Sequence, residues 1–242
     1  MARGYFDIHH HLLYGMDDGP KNREQMYAML DKAAAQRINH IIATPHMVPG
    51  VHHFRKEQYE TALSEARKYC AENRYDLTVS AGAEILYTDQ ASQKLRANEI
   101  PVMCGTEYVL VEFSPDIQYR VLYSNLEELC SSGYVPILAH TERYRNLVRN
   151  IKRAEQLKQM LRIKYQVNCS TVLGQCSFLT RIYARKLFKA HLVDAVATDA
   201  HNVTTRAAAF DKAWQVLKKE YGKQYAADLT DGSILYGEWS DK

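Results

Sequence analysis

Seven apolar runs of strand length alternate with longer amphipathic stretches, and this order restricts the fold of the 242-residue chain more than any other feature. The predicted strands are Tyr5–His9, His40–Thr44, Leu77–Glu84, Tyr108–Phe113, Val135–His140, Tyr165–Asn168 and Val193–Asp199. The predicted helices are Arg23–Arg37, Arg55–Asn73, Asp89–Asn98, Gln118–Ser132, Glu142–Arg162, Cys176–Ala190 and Arg206–Tyr221. Alternating strands and helices form parallel sheets with right-handed crossovers. Seven such units without a composition break predict one α/β domain over residues 1–242, with the sheet closed into a barrel.

Composition restricts the class of protein and its cellular setting. Hydrophobic residues make up 46% and charged residues 24% of the chain, as in ordinary globular proteins. A net charge of +3 is too small to indicate a nucleic-acid surface. The apolar runs are shorter than the ~20 residues of a membrane-spanning helix, so we expect no direct membrane insertion. Five cysteines without a CxxC pair, and an N-terminus that shows no signal peptide, predict a cytoplasmic protein.

All but one of the predicted strands end on or beside a histidine or a carboxylate. These strand-end residues are Asp7, His9, His11, His46, Glu84, Glu112, His140, Asp199 and His201. Because parallel strands bring their carboxyl ends to one rim, we expect these side chains to converge there. Imidazole and carboxylate groups together suit several divalent metals. The pattern therefore predicts a polynuclear metal site.

Each of these residues also has an ordinary explanation when taken alone. His9 and His11 form an HxH pair that fits a buried, hydrogen-bonded pair about as well as a pair of ligands. Asp7 shares their strand face and could orient a ligand. The stretch from Asp17 to Pro20 has the composition of a turn and a helix cap, and the spacing does not separate Asp17 from Asp18 as a ligand. The metal hypothesis therefore depends on the whole series.

Two arginines and one amide stand beside this series. Arg143 follows His140 closely, and Arg206 follows His201; guanidinium groups match phosphate oxygens in pairs, which favours phosphate binding over plain surface charge. Asn168 ends the one strand without a metal-type residue and suits substrate contact or support of a ligand. No cysteine is followed six residues later by arginine, which excludes cysteine-dependent tyrosine phosphatase chemistry. A P-loop and a GxSxG elbow are also absent.

The ordered motifs resemble the PHP superfamily of metal-dependent phosphoesterases. The residues within these motifs most resemble those of the metal-dependent bacterial protein-tyrosine phosphatases of capsular and exopolysaccharide gene clusters. The motifs are Asp7-Ile8-His9-x-His11, Asp17-Asp18-Gly19-Pro20, Ala43-Thr44-Pro45-His46, Gly82-Ala83-Glu84-Ile85, Val111-Glu112-Phe113, Ala139-His140-x-Glu142-Arg143-Tyr144, Gln166-Val167-Asn168 and Asp199-Ala200-His201-Asn202. The resemblance runs from about residue 6 to about residue 220.

The resemblance implies a distorted (β/α)7 barrel with three divalent metals. Manganese is expected, with iron, zinc or magnesium as alternatives. By motif, His9, His11, Glu84 and Asp199 would hold the first metal, and the bridging Glu84 would hold the second with Glu112 and His140. Asp18, His46 and His201 would hold the third, which selects Asp18 over Asp17 by resemblance alone. Arg143 and Arg206 fall on the arginines that contact phosphate in the family.

The implied function is hydrolysis of phosphotyrosine by attack of metal-activated hydroxide. The implied partner is a tyrosine-phosphorylated, membrane-associated bacterial tyrosine kinase that controls polysaccharide synthesis. Tyrosinate is a far better leaving group than a serine alkoxide, so aryl phosphates should react faster than alkyl phosphates. Its proton donor stays open between a metal-bound water, His46 and His201. This chain departs from the family at His10, at Met47 and over Asp231–Lys242.

Three other functions remain open at this level. A related enzyme acting on histidinol phosphate or another small phosphoester would share the metal set and differ in the loop Met47–Phe54, which contains His52 and His53. A TIM-barrel amidohydrolase also begins with an HxH pair, but the two glutamates and the terminal Asp199-x-His201 disfavour it. A metal-bound docking module for a kinase would need no catalysis.

Overall fold

A curled parallel sheet forms the centre of the protein, whose computed structural model describes residues 4–51 and 54–236. The strands are β1 (Tyr5–His10), β2 (Ile38–Ala43), β3 (His46–Met47), β4 (Thr78–Ala81), β5 (Glu84–Leu86), β6 (Tyr108–Glu112), β7 (Val135–Leu138), β8 (Lys164–Asn168) and β9 (Ala195–Ala197). Every strand pair in the described ranges is parallel. All seven predicted strands overlap observed ones, so the predicted mixed α/β class is confirmed.

The predicted strand Leu77–Glu84 is broken into β4 and β5. A similar break separates β2 from β3, which lies beyond the predicted strand His40–Thr44. The strand order is β1-β2-β4 in one part of the sheet and β3-β5-β6-β7-β8-β9 in the other. The first break, between β2 and β3, contains Pro45, which has no N–H for a sheet ladder. The second break, between β4 and β5, contains Gly82, where a Cβ atom would lie 2.5 Å from Cγ2 of Ile42. Both breaks come directly before residues of the predicted metal site.

The first and last strands meet at their carboxyl ends. The His11 amide donates to the Ala200 carbonyl at 2.9 Å, and the Asp199 amide donates to the His9 carbonyl at 2.9 Å. His10 and Ala200 form a parallel bridge. The two ends of the sheet are therefore in hydrogen-bond contact at the rim that carries the predicted ligands.

Alternate strand residues bury their side chains on opposite sides of the sheet. One cluster contains Phe6, Ile8, Ile42, Leu110 and Ile137. The other cluster is larger and includes the strand residues that alternate with these, together with the apolar faces of the helices. Burial on both sides explains why the strands are almost wholly apolar until they reach the rim.

The helices cover the outside of the sheet, except for the last one, which packs in the cluster that contains Phe6. They are α1 (Arg23–Ala35), α2 (Lys56–Glu72), α3 (Ala91–Arg96), α4 (Tyr119–Ser131), α5 (Arg145–Val148), α6 (Ile151–Met160), α7 (Cys169–Val172), α8 (Phe178–Lys189), α9 (Phe210–Tyr221), α10 (Lys223–Asp228) and α11 (Ser233–Tyr236). Short 3₁₀ turns occupy Met103–Gly105 and Thr141–Arg143. Among the described residues, no helix combines the length and apolarity needed to cross a membrane.

Two predicted helices differ from the observed ones where they meet the rim. The predicted helix Glu142–Arg162 is a 3₁₀ turn followed by α5 and α6, and Asn150 caps α6 by accepting a hydrogen bond from the Lys152 amide. The predicted helix Arg206–Tyr221 begins only at Phe210. The Arg206 amide instead donates to the side chain of Asn202 at 3.0 Å, because Asn202 organises a turn. Arg143 and Arg206 therefore both lie on turns.

The end of the described chain closes one side of the sheet. Ile234 and Leu235 on α11 are buried and join the cluster that contains Phe6. The described chain therefore ends as a cap on the sheet, and residues 237–242 lie outside the described ranges. His52 and His53 lie outside them as well.

Candidate metal centre

Strand β1 delivers two histidines to one point. The Nε2 atoms of His9 and His11 lie 3.1 Å apart, and both rings are fully buried. Each Nε2 atom lies 3.2 Å from Oε2 of Glu84 and 3.5 Å from Oδ1 of Asp199. The strand ends therefore converge as predicted, and residues from the first and last motifs of the chain lie around the carboxylate of Glu84.

Glu84 lies at the centre of the cluster. Its Oε2 atom is 3.0 Å from Nδ1 of His46, in addition to its contacts with His9 and His11. Its Oε1 atom is 2.9 Å from Nε2 of His140. The side chain is 1% exposed, so this carboxylate touches four imidazoles in a site closed to solvent. One carboxylate shared in this way has the geometry of a bridging ligand.

Glu112 and Asp18 extend the cluster toward solvent. Glu112 lies 3.1 Å from Nδ1 of His46 and 3.4 Å from Nε2 of His140. Asp18 lies 3.2 Å from Nε2 of His201 and 3.7 Å from Nε2 of His46. The side chain of Asp18 is 59% exposed, which opens this edge of the cluster to ligands from solution.

All nine predicted ligand residues thus lie together, although the groups that could hold one ion differ from the predicted sets. Within the described residues these groups are His11, Asp18, His46 and His201; His9, His11 and Glu84; and His46, Glu84 and Glu112. His11, His46 and Glu84 each belong to two groups. Shared ligands of this kind are typical of metal ions bound close together.

The donor set fits divalent metal ions. Oε2 of Glu84 and Nε2 of His201 are buried and have no hydrogen-bond partner among the described residues. Their neighbours are close, but the contacts are not aligned as hydrogen bonds. A buried polar atom without a partner is costly. A cation among these lone pairs would satisfy both atoms, and nitrogen and oxygen donors suit manganese, iron or zinc.

The electrostatics of the cluster reflect its packed carboxylates. Burial alone would lower the pKa of His46, but its close contacts with the Glu112 and Glu84 carboxylates raise this pKa to about 11. Burial likewise opposes the charges of Glu84 and Asp199, which raise the pKa of His9 to about 9. Burial raises the pKa of Glu112, but hydrogen bonds from His140 and His46 bring it down to about 2. Protons and metal ions therefore compete for the same negative site.

Arg143 and Arg206 lie at the edge of the cluster. Arg206 donates to Oδ2 of Asp18 at 3.2 Å and to Oδ1 of Asp199 at 3.0 Å. Arg143 donates to Oδ2 of Asp199 at 3.3 Å. The side chain of Arg206 is 41% exposed and that of Arg143 is 43% exposed. Both guanidinium groups can therefore reach an anion that enters from solvent beside Asp199.

Two turns that carry predicted ligands have left-handed backbone. His140 has a φ angle of 36° and Asp199 has a φ angle of 52°. Side chains other than glycine rarely adopt this conformation, which costs about 1–3 kcal/mol, and such residues concentrate at functional sites. Histidine and aspartate are among the non-glycine residues that adopt this conformation most often.

Three buried side chains orient the histidines and Asp199, and the sequence identified them only in part. Oδ2 of Asp17 accepts a hydrogen bond from Nδ1 of His11 at 2.6 Å. Gln166 contacts Nδ1 of His9 at 3.2 Å, a role that sequence reasoning missed because Gln166 lies inside a strand. Asn168 donates to Asp199 at 2.7 Å, as its predicted supporting role requires. Asp7 accepts from the Thr198 amide and hydroxyl and from the backbone amide of His9, so it contacts the backbone of the strand that carries His9 rather than its ring.

The two departures from the family pattern have different surroundings. His10 is 1% exposed, and neither ring nitrogen has a partner among the described residues. Burial lowers the pKa of His10 to about 3, helped by the charges of His11 and His201, so the ring is neutral. Met47, in contrast, is 8% exposed and contributes to the wall of a cavity.

A cavity of about 610 Å³ lies beside His46. The apolar part of its wall comes from Met16, Met47, Val48, Pro49, Phe54 and Ile100. Arg55, Lys94 and Glu99 also line it, and Lys94 pairs with Glu99 at 2.7 Å. This volume lies in the range of small-ligand sites. The cavity and the metal cluster share His46, so a ligand can contact both.

Comparison with known proteins identifies the group to which this site belongs. The sequence profile of the family "Capsular polysaccharide synthesis, CpsB/CapC" matches residues 5–232. The chain belongs to the CpsB/CapC family. This CpsB/CapC protein is 34% identical to the tyrosine-protein phosphatase CpsB of Streptococcus pneumoniae over 227 residues, which cover 92% of this chain and 93% of that protein. It is 31% identical to the tyrosine-protein phosphatase YwqE of Bacillus subtilis over 229 residues, which cover 95% and 90%.

Solved structures agree with this assignment. The CpsB/CapC chain superposes with a TM-score of 0.84 and 31% identity on a structure from work on YwqE from Bacillus subtilis and CpsB from Streptococcus pneumoniae, described there as unique metal-dependent tyrosine phosphatases. The match covers 93% of this chain and 90% of that one. A dihydropyrimidinase from Brevibacillus agri gives a TM-score of 0.56 at 10% identity, which indicates a shared fold alone.

Proposed function

We propose that this CpsB/CapC protein is a metal-dependent phosphatase that hydrolyses phosphotyrosine in proteins. The observation that carries the proposal is one largely buried cluster of nine histidines and carboxylates with two arginines at its open edge. Relatives that align over more than nine-tenths of the chain are named tyrosine-protein phosphatases. These names favour phosphotyrosine over the histidinol phosphate alternative.

Three divalent metal ions, with manganese expected, would be held by the nine residues of the cluster. The predicted sets are His9, His11, Glu84 and Asp199; Glu84, Glu112 and His140; and Asp18, His46 and His201. Bound divalent ions supply Lewis-acid stabilisation of phosphate charge and a water nucleophile at neutral pH. The orphaned Glu84 Oε2 and His201 Nε2 support this ligand role.

The two arginines would bind the phosphate oxygens of the substrate. In the structure both guanidinium groups contact the carboxylate of Asp199, which supports a role in binding anions. Arginine binds phosphate with two parallel hydrogen bonds and stabilises charge that develops in the transition state. Their exposed position lets a phosphate enter without rearrangement of the buried histidines.

The cavity beside His46 would receive the aryl side of the substrate. Met47, Val48 and Phe54 offer an apolar surface next to the cluster, and the loop that bears them is the one from which we expected substrate selection. Aromatic rings bury a large area against such side chains. Tyrosinate also leaves without much help from an acid, since its pKa is near 10. Binding and leaving-group chemistry therefore both favour aryl phosphates.

The curled sheet and its helices would together form a single-domain, distorted (β/α)7 barrel. The bridge between β1 and β9 and the successive pairing of β3, β5, β6, β7, β8 and β9 support this closure. The breaks in the second and third strands would be the distortion. Closure would place all the ligand-bearing strand ends on one rim, as in other barrel enzymes.

The physiological substrate would be a membrane-associated bacterial tyrosine kinase that controls capsule or exopolysaccharide synthesis. The family name refers to capsular polysaccharide synthesis, which supports this setting. A phosphorylated tyrosine on a flexible protein tail would reach the open edge of the cluster. The protein would act on that tail from the cytoplasm.

Purified protein assayed on an aryl phosphate, a phosphotyrosine peptide, a phosphoserine peptide and histidinol phosphate tests this function. We expect hydrolysis of the first two, dependence on added Mn²⁺, and loss of activity after full chelation. Activity that persists without metal would contradict the metal mechanism. Preference for histidinol phosphate would establish the alternative.

A further inference from the structure

Strand β8 contains none of the nine predicted ligands, yet its side chains touch the cluster at two points. Gln166 contacts His9, and Asn168 contacts Asp199. Both side chains are fully buried. The two residues are also bonded to each other, because Nε2 of Gln166 donates to Oδ1 of Asn168 at 2.8 Å. They form a hydrogen-bonded relay from His9 to Asp199.

A backbone amide sets the direction of this relay. The His140 N–H can only donate, and it donates to Oε1 of Gln166 at 2.8 Å. Oε1 is therefore the carbonyl oxygen, and Nε2 must be the donor to Asn168. Asn168 then presents its own amide nitrogen to Oδ2 of Asp199, a carboxylate that can only accept when ionised. Both ends agree on one orientation of the two amides.

The same logic determines which nitrogen of His9 carries the proton. Nδ1 of His9 lies 3.2 Å from Oε1 of Gln166, which accepts and cannot donate. A hydrogen bond there requires the proton on Nδ1. The lone pair of the neutral ring is then on Nε2, the atom that lies 3.1 Å from His11 and 3.2 Å from Glu84.

The relay is anchored from outside the cluster. Oε1 of Glu142 accepts a hydrogen bond from the backbone N–H of Asn168 at 3.2 Å and another from the Thr171 hydroxyl at 2.8 Å. Glu142 belongs to the turn after β7, so the carboxyl end of β8 is tied to the turn that carries His140 and Arg143. This anchor limits movement of Asn168 and, through it, of Asp199.

We propose that Gln166 and Asn168 are positioning residues that hold His9 in its Nδ1–H form and orient the carboxylate of Asp199 toward bound metal. The proposal rests on the metal centre of the proposed function. Groups that orient metal ligands from behind change metal affinity about 10- to 100-fold when removed. Neither amide needs to touch a metal ion or the substrate.

The test is titration of metal-free protein with Mn²⁺ in the wild type, Gln166→Met and Gln36→Met. Methionine has a similar size but neither accepts from His9 nor donates to Asn168. Gln36 is a matched control, because its amide donates to the Ala208 carbonyl at 2.7 Å away from the cluster. We expect Mn²⁺ affinity to fall about 10- to 100-fold in Gln166→Met and to stay unchanged in Gln36→Met.

Thermal melts and an NMR signature separate positioning from general destabilisation. In protein saturated with diamagnetic Zn²⁺, the wild type should show a slowly exchanging imidazole N–H of His9, and Gln166→Met should lose it. Gln166→Glu keeps an acceptor for His9 and should therefore show that resonance. If Gln166→Met folds poorly, Gln166→Glu provides a second variant in which the resonance can be measured. Unchanged metal affinity and an unchanged resonance in Gln166→Met would overturn the relay. A wild type that binds no metal would instead overturn the proposed function.

Discussion

At the scale of single residues, Asp17 and Asp18 are adjacent in sequence but have different surroundings. Asp17 is 6% exposed and accepts three hydrogen bonds, from the His11 ring and from the amides of Gly19 and His46. Asp18 is 59% exposed and contacts His46 and His201. Asp17 therefore holds the site in place, whereas Asp18 is placed to ligate metal.

The variants Asp17→Asn and Asp18→Asn should separate these two roles. Asp17→Asn loses charge-assisted hydrogen bonds in a buried site, so the free energy of unfolding of metal-free protein should fall by about 2 kcal/mol. Asp18→Asn should leave that free energy unchanged while metal affinity falls. Denaturant unfolding and metal titration of both variants measure the two effects. Full metal affinity in Asp18→Asn would remove Asp18 from the ligand set.

Arg206→Ala should lower turnover without removing metal. Loss of one charge-stabilising donor costs about 10²- to 10³-fold in rate, so kcat/KM on an aryl phosphate should fall by that order. Arg185→Ala is the control, because Arg185 is 57% exposed and pairs only loosely, at 4.0 Å, with Glu220. Metal analysis of the purified variants accompanies the rates. If Arg206→Ala lost its metal, Arg206 would be a structural partner of Asp18 and Asp199.

At the scale of elements, the strands followed from apolar periodicity, whereas their breaks and the adjoining turns did not. The sheet is interrupted directly before the predicted ligands His46 and Glu84, at Thr44-Pro45 and at Gly82-Ala83. The helices predicted after His140 and from Arg206 gave way to turns. Before α9, the side chain of Asn202 takes the hydrogen bond from the Arg206 amide that a regular helix would have used.

The loop after β3 contributes the element that should select the substrate. Val51 is 65% exposed at the cavity, and Val121 on α4 is 48% exposed outside the cavity lining. In Val51→Asp the KM of a phosphotyrosine peptide with apolar neighbours should rise about tenfold, because a carboxylate replaces an apolar contact. Val121→Asp should leave this KM unchanged. Equal KM values in Val51→Asp and the wild type would show that the substrate does not use this wall.

At the scale of the whole molecule, the meeting of β1 and β9 decides whether the sheet is a closed barrel. Two amides make the joining bonds, those of His11 and Asp199. In a closed barrel their hydrogen exchange should be as slow as that of the Ala139 amide, which donates to Val111 within the sheet. Hydrogen-exchange NMR measures all three. Fast exchange at His11 and Asp199 beside a slow Ala139 would indicate an open seam.

The sequence alone determined the α/β class, the parallel sheet and the kinds of side chain at its rim. Alternation of strands and helices is a local property, and parallel strands bring their carboxyl ends to one side by geometry. The ordered motifs also led to the family that the comparisons confirm. These conclusions needed no knowledge of which way any side chain points.

Only the tertiary structure decided how the rim is held together. The partner of His9 is Gln166, 157 residues away, and the partner of Asp7 is Thr198, 191 residues away. Such pairs depend on side-chain directions at strands that meet only after folding. The same holds for the contacts of Arg143 and Arg206 with Asp199, since turns rather than helices carry both arginines. The local sequence pattern identified the predicted metal ligands, and long-range hydrogen bonds determine how their side chains are oriented.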